Sequence, residues 1–264
     1  MATTDDSVIA HYGRGNIEDQ LLGIIAAAGK DPEHFLPADL QGADQLHVGG
    51  AAATSRVASA AGIGAGTRVL EIGSGMGGVA RHVAQEFGAS VHGVDLTPEF
   101  VAVAKSMTRR TGLSGQVTFS QGSGTALPLP DDSFDVALMI HVGMNIRNKD
   151  QVFAEAARVL RPGGMFAIYD VMLMGGDMET YPLPWAADGS TSFLQPPLAY
   201  SDALSQAGFD VDSETKQRDF GIAFLERALS GQGPLGVGVP ALTNLLAAFK
   251  SGLLAPIEIY AHLG

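Results

Sequence analysis

Short apolar runs and amphipathic stretches alternate through the middle of this chain. The apolar runs fall at Arg68–Ile72, Ser90–Val94, Gln116–Ser120, Phe134–Ile140 and Met165–Val171, and each reads as a strand. Between them, Val79–Phe87, Pro98–Arg110 and Lys149–Leu160 read as helices. Val152, Phe153, Ala156, Val159 and Leu160 give the last of these its apolar face, and Asn148 stands where its cap belongs. Thr97-Pro98-Glu99 opens the second with a capping hydroxyl, a proline at the first helical position and an acid in the first turn. Such alternation predicts an α/β fold built on a doubly wound, mostly parallel sheet.

The flanks follow other patterns. Ile17, Leu21, Ile24, Ile25 and Ala28 share one face of a helix that Asn16 can cap and Gly29 ends. A polar stretch with Pro32 and Pro37 then leads to Gly49-Gly50 and an alanine-rich helix over about Ala51–Ala61. After Val171 the alternation breaks. Residues 172–200 are rich in Met, Gly, Pro and aromatics and hold the one tryptophan, Trp185. So long a stretch is more than a connector, and such loops are often lids. A helix over about Tyr200–Ala207, ended by Gly208, precedes a strand at Asp210–Gln217; a helical insert over about Ala241–Phe249 leads to a last strand at Pro256–His262.

Composition narrows the function classes. The 264 residues, 46% hydrophobic and 17% charged, suit one globular domain with additions. A net charge of −12 leaves no basic stripe for a phosphate backbone, so nucleic acid is not an expected partner. The adjacent pair Arg109-Arg110 falls in a last helical turn, where cations are favoured anyway. Without cysteine there are no disulfides, thiolate metal sites or thiol nucleophiles, and no histidine pair has ligand spacing, so no metal is expected. The polar, acidic first seven residues do not resemble a signal peptide, and no apolar run is long enough to span a membrane. A cytoplasmic location follows by default. The helical additions at both ends offer surfaces for self-association.

The chemistry concentrates in Val69-Leu-Glu-Ile-Gly-Ser-Gly-Met-Gly-Gly78. An apolar strand runs into a glycine-rich turn and then a helix. Glycine lets backbone approach a ligand closely, and the helix start aims free N–H groups at the same crevice. Asp95, twenty-two residues past Gly73 at the end of the next strand, is placed to accept both hydroxyls of a ribose. Gly73, Gly75 and Gly78 also fit the G-x-G-x-x-G of dinucleotide folds, so the turn predicts a nucleoside-bearing ligand without choosing one.

Three motifs in order make the choice. Glu71-Ile-Gly-Ser-Gly75 resembles the first motif of class I S-adenosylmethionine-dependent methyltransferases. Leu127-Pro-Leu-Pro-Asp-Asp-Ser-Phe-Asp-Val136 and Arg158-Val-Leu-Arg-Pro-Gly-Gly164 resemble two later stretches of the same family. The resemblance covers about residues 44–220. It implies a Rossmann-like sheet of seven strands in which the last two form a hairpin and supply one antiparallel member. It also implies a single domain: a helical cap over 1–61, a cofactor-binding core over 62–175, and acceptor-pocket insertions with the final strand pair over 176–264.

By the same resemblance, S-adenosylmethionine lies against Glu71, Gly73, Ser74, Gly75 and Gly77, with Asp95 and Leu96 at its ribose, Gly122, Ser123 and Gly124 near adenine, and Ile140 beneath. Ser123 stands where the family often has an acid; its hydroxyl accepts one hydrogen bond without charge assistance. Asp44-Gln-Leu-His-Val-Gly-Gly50, followed by Thr54, looks like the cap of the phosphoethanolamine and sarcosine/dimethylglycine N-methyltransferase group, which brings His47, Gly50 and Thr54 toward the cofactor. Free amides at Gly49-Gly50 are a second candidate anion site for its carboxylate. Tyr12 matches a tyrosine that closes over the methyl group in that group.

Methyl transfer asks mainly for in-line placement and exclusion of water. The residues after the fourth strand read His141-Val-Gly-Met-Asn145: His141 is the candidate base, since imidazole titrates near neutral pH, and Asn145 can orient the acceptor. His82 and His92 fall in a core helix and strand and read as structural. Trp185, Tyr181 and Phe193 are candidate walls of the acceptor pocket, able to recognise a cation through a ring face or simply to seal core.

The expected activity is methyl transfer to a small molecule at nitrogen or oxygen, leaning toward a small amine. Carbon methylation of an isoprenoid or lipid-like acceptor is compatible with the same turn. An NAD(P)-dependent oxidoreductase would share the turn but lacks a Tyr-x-x-x-Lys pair and leaves two motifs unexplained. A cofactor-binding protein without an acceptor site is the non-catalytic alternative.

Overall fold

In a computed structural model, which describes residues 4–13, 15–40, 42–232 and 238–264, two helices come first: α1 (Thr4–Tyr12) and α2 (Ile17–Ala27). Residues 1–3, the start of the polar N-terminal stretch, lie outside that range. The alternating core follows as α3 (Gly50–Ala60), β1 (Arg68–Ile72), α4 (Gly78–Phe87), β2 (Ser90–Asp95), α5 (Pro98–Arg110), β3 (Val117–Gln121), β4 (Phe134–Ile140), α6 (Lys149–Val159) and β5 (Leu160–Leu173). The chain ends with α7 (Pro197–Gln206), β6 (Phe209–Lys216), α8 (Arg218–Arg227), α9 (Val239–Ser251) and β7 (Leu254–Leu263).

The seven strands form one sheet in the order β3-β2-β1-β4-β5-β7-β6. Strand order reverses between β1 and β4, and that switch opens a crevice at the carboxyl ends of the parallel strands. Side chains alternate across the sheet. Leu70 and Ile72 of β1 face the layer that contains Phe153 of α6 and Tyr200 of α7, while Val69 faces the layer of α3, α4 and α5. Two further apolar clusters lie over the crevice. In one, Ile17, Leu21 and Ile25 of α2 pack on Phe100, Val103 and Met107 of α5. In the other, Leu242, Leu245 and Phe249 of α9 pack with Leu225, Trp185 and Met144.

Four details depart from the pattern-based reading. β5 starts at Leu160 because that residue pairs with Phe134 and Met165 then pairs with Val136, so Arg161–Gly164 bulges out between the two registers. β6 and β7 are antiparallel neighbours, but α8 and α9 separate them in sequence, so they are no tight hairpin. β7 runs against β5 as well and is the antiparallel member of the sheet. Two of three expected caps also differ. Asn148 accepts from the Gln151 N–H, but Asn16 bonds the Gln20 side chain and the Thr97 side chain makes no cap, the acceptor there being Asp95. Finally, α1 and α8 were not expected: α1 is polar overall, and α8 holds Gly221 in its interior. That glycine is a fitting requirement, since a Cβ would sit 2.9 Å from both Phe249 and Pro256.

Candidate cofactor and acceptor site

The glycine turn after β1 is fixed from both sides. The N–H groups of Gly73 and Ser74 donate to the Val94 carbonyl, tying the turn to β2. Gly73, Gly75 and Gly77 all have positive φ, at 75°, 50° and 77°. A Cβ on Gly73 would collide with Val142, and one on Gly78 would collide with the Asp44 carbonyl of the cap. Gly75 is different: nothing lies within 4 Å of its would-be Cβ, so the turn opens there onto free space. Beside it, Asp95 accepts from the Gly75 N–H at 2.7 Å and the Thr97 N–H at 2.8 Å. Each carboxylate oxygen keeps a lone pair for a further donor.

A buried ion pair locks cap to turn. The Arg81 guanidinium donates to Asp44 and to the Met76 carbonyl, each at 2.7 Å, and reaches Ala104 and Thr108 of α5. Nothing in the sequence pattern singled out Arg81; a lone arginine on an otherwise apolar helix face was the available signal.

The crevice is a cavity of about 800 Å³. One end is walled by Glu71, Gly73, Ser74, Gly75, Asp95 and Leu96, with Gly122, Ser123, Gly124 and Ile140 beside them. Ser74 Oγ and Glu71 Oε2 are buried there without a hydrogen-bond partner. Burial, then the nearby Asp95 charge, raises the Glu71 carboxyl well above its usual range, and burial likewise raises Asp95. Two strained carboxyls and an orphan hydroxyl around an open glycine suit a ligand with donors and positive charge. Ser123, the residue in place of the family's acid, has its hydroxyl 2.9 Å from Thr125 Oγ1.

The other end gathers His47, Tyr12, His141, Asn145 and Trp185 with apolar residues of α2, α8 and α9. His141 sits at φ 54°, its N–H donating to the Tyr169 carbonyl at 2.7 Å, and its Nε2 is buried and unpartnered. Burial, then His47, pushes its pKa well below the usual value, in favour of the neutral ring and against the titration near neutrality that the sequence suggests. His47 is likewise neutral, pushed down by burial to about 4, and Thr54 Oγ1 and the Gly50 carbonyl surround its Nε2 at 3.2 and 3.1 Å.

Asn145 lines the cavity and is also bonded within the protein. Its Nδ2 donates to the Trp185 and Thr191 carbonyls at 3.1 and 3.0 Å, and its Oδ1 accepts from Tyr12 at 3.1 Å. It therefore clasps α1 and the 185–191 loop to the end of β4. Behind it, Asp170 accepts from Tyr200 at 2.6 Å, and Gly143 is pressed so close to that carboxylate that a Cβ would collide.

Several expected residues stand off the cavity wall. Gly50 and Thr54 do, and the Gly50 N–H is taken by the His47 carbonyl, so the amides of Gly49-Gly50 do not form a free anion nest facing the cavity. Gly77 caps α4 instead, where a Cβ would meet Phe119 at 2.5 Å. Tyr181 packs in the α9 cluster, and the face of Phe193 is covered by Arg147, whose guanidinium is 4.4 Å from the ring centroid. Of the three aromatics, only Trp185 reaches the cavity. His82 bonds Ser55, and His92 lies between Thr118 and Ser120, away from the site.

Comparison with known proteins agrees with this geometry. The family described as "Methyltransferase domain" matches residues 70–168. The middle of this chain is thus similar to a methyltransferase domain. It is 34% identical over 162 residues to Methyltransferase GfsG of Streptomyces halstedii, covering 61% of this chain and 58% of that protein. Its fold resembles geranyl diphosphate C-methyltransferase from Streptomyces coelicolor A3(2), with a TM-score of 0.77 at 14% identity over 100% of this chain and 99% of that one. Phosphoethanolamine N-methyltransferase 2 of Haemonchus contortus, in complex with S-adenosyl-L-methionine, gives 0.72 at 21% identity, over 100% and 60%. The chain spans about half the length, or less, of the curated relatives it matches. Among the described residues no helix is long and apolar enough to cross a membrane, and no acid–histidine cluster could hold a metal.

Proposed function

We propose that this chain transfers a methyl group from S-adenosylmethionine to a small-molecule acceptor at nitrogen or oxygen, releasing S-adenosylhomocysteine. The observation that carries this reading is the junction of the open Gly75 turn with Asp95 at the β1–β4 switch. Asp95 would hold the ribose and Glu71 the ammonium end, with Leu96 and Ile140 against the rings. Held there by Asp95 and Glu71, the cofactor would supply an electrophilic methyl group for displacement from sulfur by the acceptor. The protein's part is placement and water exclusion. Tyr12 and Asn145 close the α1 side, and His141 Nε2 offers a lone pair to an acceptor proton. The domain plan of cap, core and acceptor-side insertions, and a cytoplasmic site of action, belong to the same proposal.

Calorimetric titration tests it. S-adenosylhomocysteine should bind saturably and NAD⁺ should not. Asp95→Ala should weaken that binding at least about tenfold, the loss of a charge-assisted hydrogen bond. Binding of NAD⁺ alone, or an Asp95→Ala protein with undiminished affinity, would overturn the assignment.

A further inference from the structure

The acceptor end of the cavity is built almost without charge. Val8 of α1, Leu21 and Ile24 of α2, Phe224 of α8, and Leu242 and Leu245 of α9 supply its walls. Among the described wall residues Arg147 is the one lysine or arginine, and it is exposed with its guanidinium over Phe193. Of the wall's acids, Asp44 is spent on Arg81, Glu71 and Asp95 lie at the cofactor end, and Asp5 is exposed. An acceptor that carries a carboxylate or phosphate would therefore lose its hydration without gaining a buried partner, and an ammonium would find no free buried carboxylate at this end to pair with. Polar capacity is just as sparse. Asn145 has both N–H groups on backbone carbonyls, which leaves His141 Nε2 as the buried, unpartnered polar atom at this end. An unpartnered buried acceptor calls for a donor from the ligand.

Resting on the methyl-transfer reading, we infer that the acceptor is an uncharged, mainly apolar molecule whose hydroxyl points at His141 Nε2. As the hydroxyl oxygen gains the methyl, its proton leaves for Nε2. The positive charge that entered on sulfur thus reappears on the imidazolium, and the site's net charge stays constant through the step. Burial that disfavours a protonated histidine is offset by the simultaneous loss of the neighbouring sulfonium charge. Methylation at carbon would instead leave a carbocation on the acceptor, and the apolar lobe has no buried carboxylate to meet it. An uncharged apolar hydroxyl compound fits the walls where a zwitterionic amine does not.

Matched probes separate the cases. Trp185, the one tryptophan, lines the cavity and reports occupancy by its fluorescence. With saturating S-adenosylhomocysteine present, geraniol, geranic acid and geranylamine share a hydrocarbon skeleton and differ in charge. Geraniol should bind at least tenfold tighter than either ion. His141→Asn is the substitution of choice, because asparagine tolerates positive φ; it should weaken geraniol about threefold to tenfold and leave S-adenosylhomocysteine affinity unchanged. Leu242→Gln should do the same by a different route. If the cofactor product binds but an ion matches geraniol, or none of the three binds, this inference fails while the methyl-transfer reading stands. If S-adenosylhomocysteine itself does not bind, the methyl-transfer reading fails first and takes the inference with it.

Discussion

The two ends of the cavity are held together by opposite means. At the cofactor end the backbone is fixed by charge and by glycine: Arg81 ties Asp44 to Met76, Asp95 ties Gly75 to Thr97, and Gly73 and Gly78 allow contacts that any Cβ would forbid. At the acceptor end, α2 packs on α5 and α8 on α9 mainly through leucine, isoleucine and phenylalanine; the polar ties there are few, with Asn145 joining Tyr12 to the 185–191 loop and Arg218 donating to the Phe249 and Lys250 carbonyls. A polar network specifies one geometry, because every donor and acceptor must be satisfied at once. Apolar packing tolerates exchange of side chains of similar volume. On the proposed reading, the nucleoside would meet the fixed geometry and the acceptor the more permissive one.

The strongest way to break that contrast is at Arg81. Arg81→Met removes the guanidinium and leaves Asp44 buried without its ion-pair partner. The expected loss is about 3–5 kcal/mol of stability, read by denaturant unfolding, because an uncompensated buried charge remains. A double variant, Arg81→Met with Asp44→Leu, should regain most of it. Should the single variant unfold at the wild-type midpoint, the polar lock is not what fixes the turn.

A second test falls between the two ends, beneath the loop after β4. Asp170 is fully buried, and burial pushes its carboxyl up to about 6 despite the Tyr200 hydrogen bond and the Lys149 charge. Lys149 is pushed down by burial to about 8, with Asp170 opposing the shift. In the unfolded chain Asp170 ionises near ~3.9. Between about pH 4 and 6 the folded state therefore holds more protons than the unfolded one, and this carboxyl's contribution to stability falls as pH rises, by up to ~1.4 kcal/mol per unit. Lys149 acts in the other direction at the alkaline side: its contribution grows from about pH 8 toward its unfolded value and is lost as pH falls through that window. Comparing unfolding midpoints of the wild type and Asp170→Asn in steps across pH 4–6.5 isolates the acid term. The variant should lose that downward slope, and parallel curves would remove Asp170 from the account.

The same contrast governs how much the sequence disclosed. Glycines, Asp95 and the strand–turn–helix order are local features with fixed spacing, and the geometry of the turn at that end was legible from them, although Gly50, Thr54 and Gly77 stand off the cavity wall. Arg81 was missed because a buried ion pair joins Asp44 and α4 across residues 44–81, a contact no local pattern encodes. The acceptor end was legible only in part. Periodicity found α2 and α9, but not that Leu21 and Leu242 line one cavity, since apolar residues at helical spacing look the same whether they face a core or a ligand. Tyr181, Trp185 and Phe193 show the limit clearly. Their shared aromatic character suggested one wall, yet Tyr181 went into the α9 cluster and Phe193 under Arg147. His141 was picked out by position, but the lowering of its pKa was not legible, because its burial depends on Tyr169 and His47 from distant segments.

The smallest effect belongs to Tyr12, and it bears most directly on whether the acceptor end has any polar specification of its own. The Tyr12 hydroxyl donates to Asn145, its ring lies 5.6 Å from Phe100 and 4.9 Å from His11, and burial holds the phenol protonated well beyond its usual range. Tyr12→Phe keeps those ring contacts and removes one neutral hydrogen bond, worth about 0.5–1.5 kcal/mol. Asn145 Oδ1 then loses its donor, but its two N–H bonds to the 185–191 loop remain, so the loop should stay in place. The expected result is a threefold to tenfold rise in the KM for the acceptor, with kcat and the affinity for S-adenosylhomocysteine within about twofold of wild type. A matching collapse of kcat would mean that the hydroxyl acts at the reacting atoms. An unchanged KM would mean that α1 is held by apolar contact alone, and the clasp at Asn145 would then be a consequence of packing, with no share in shaping the pocket.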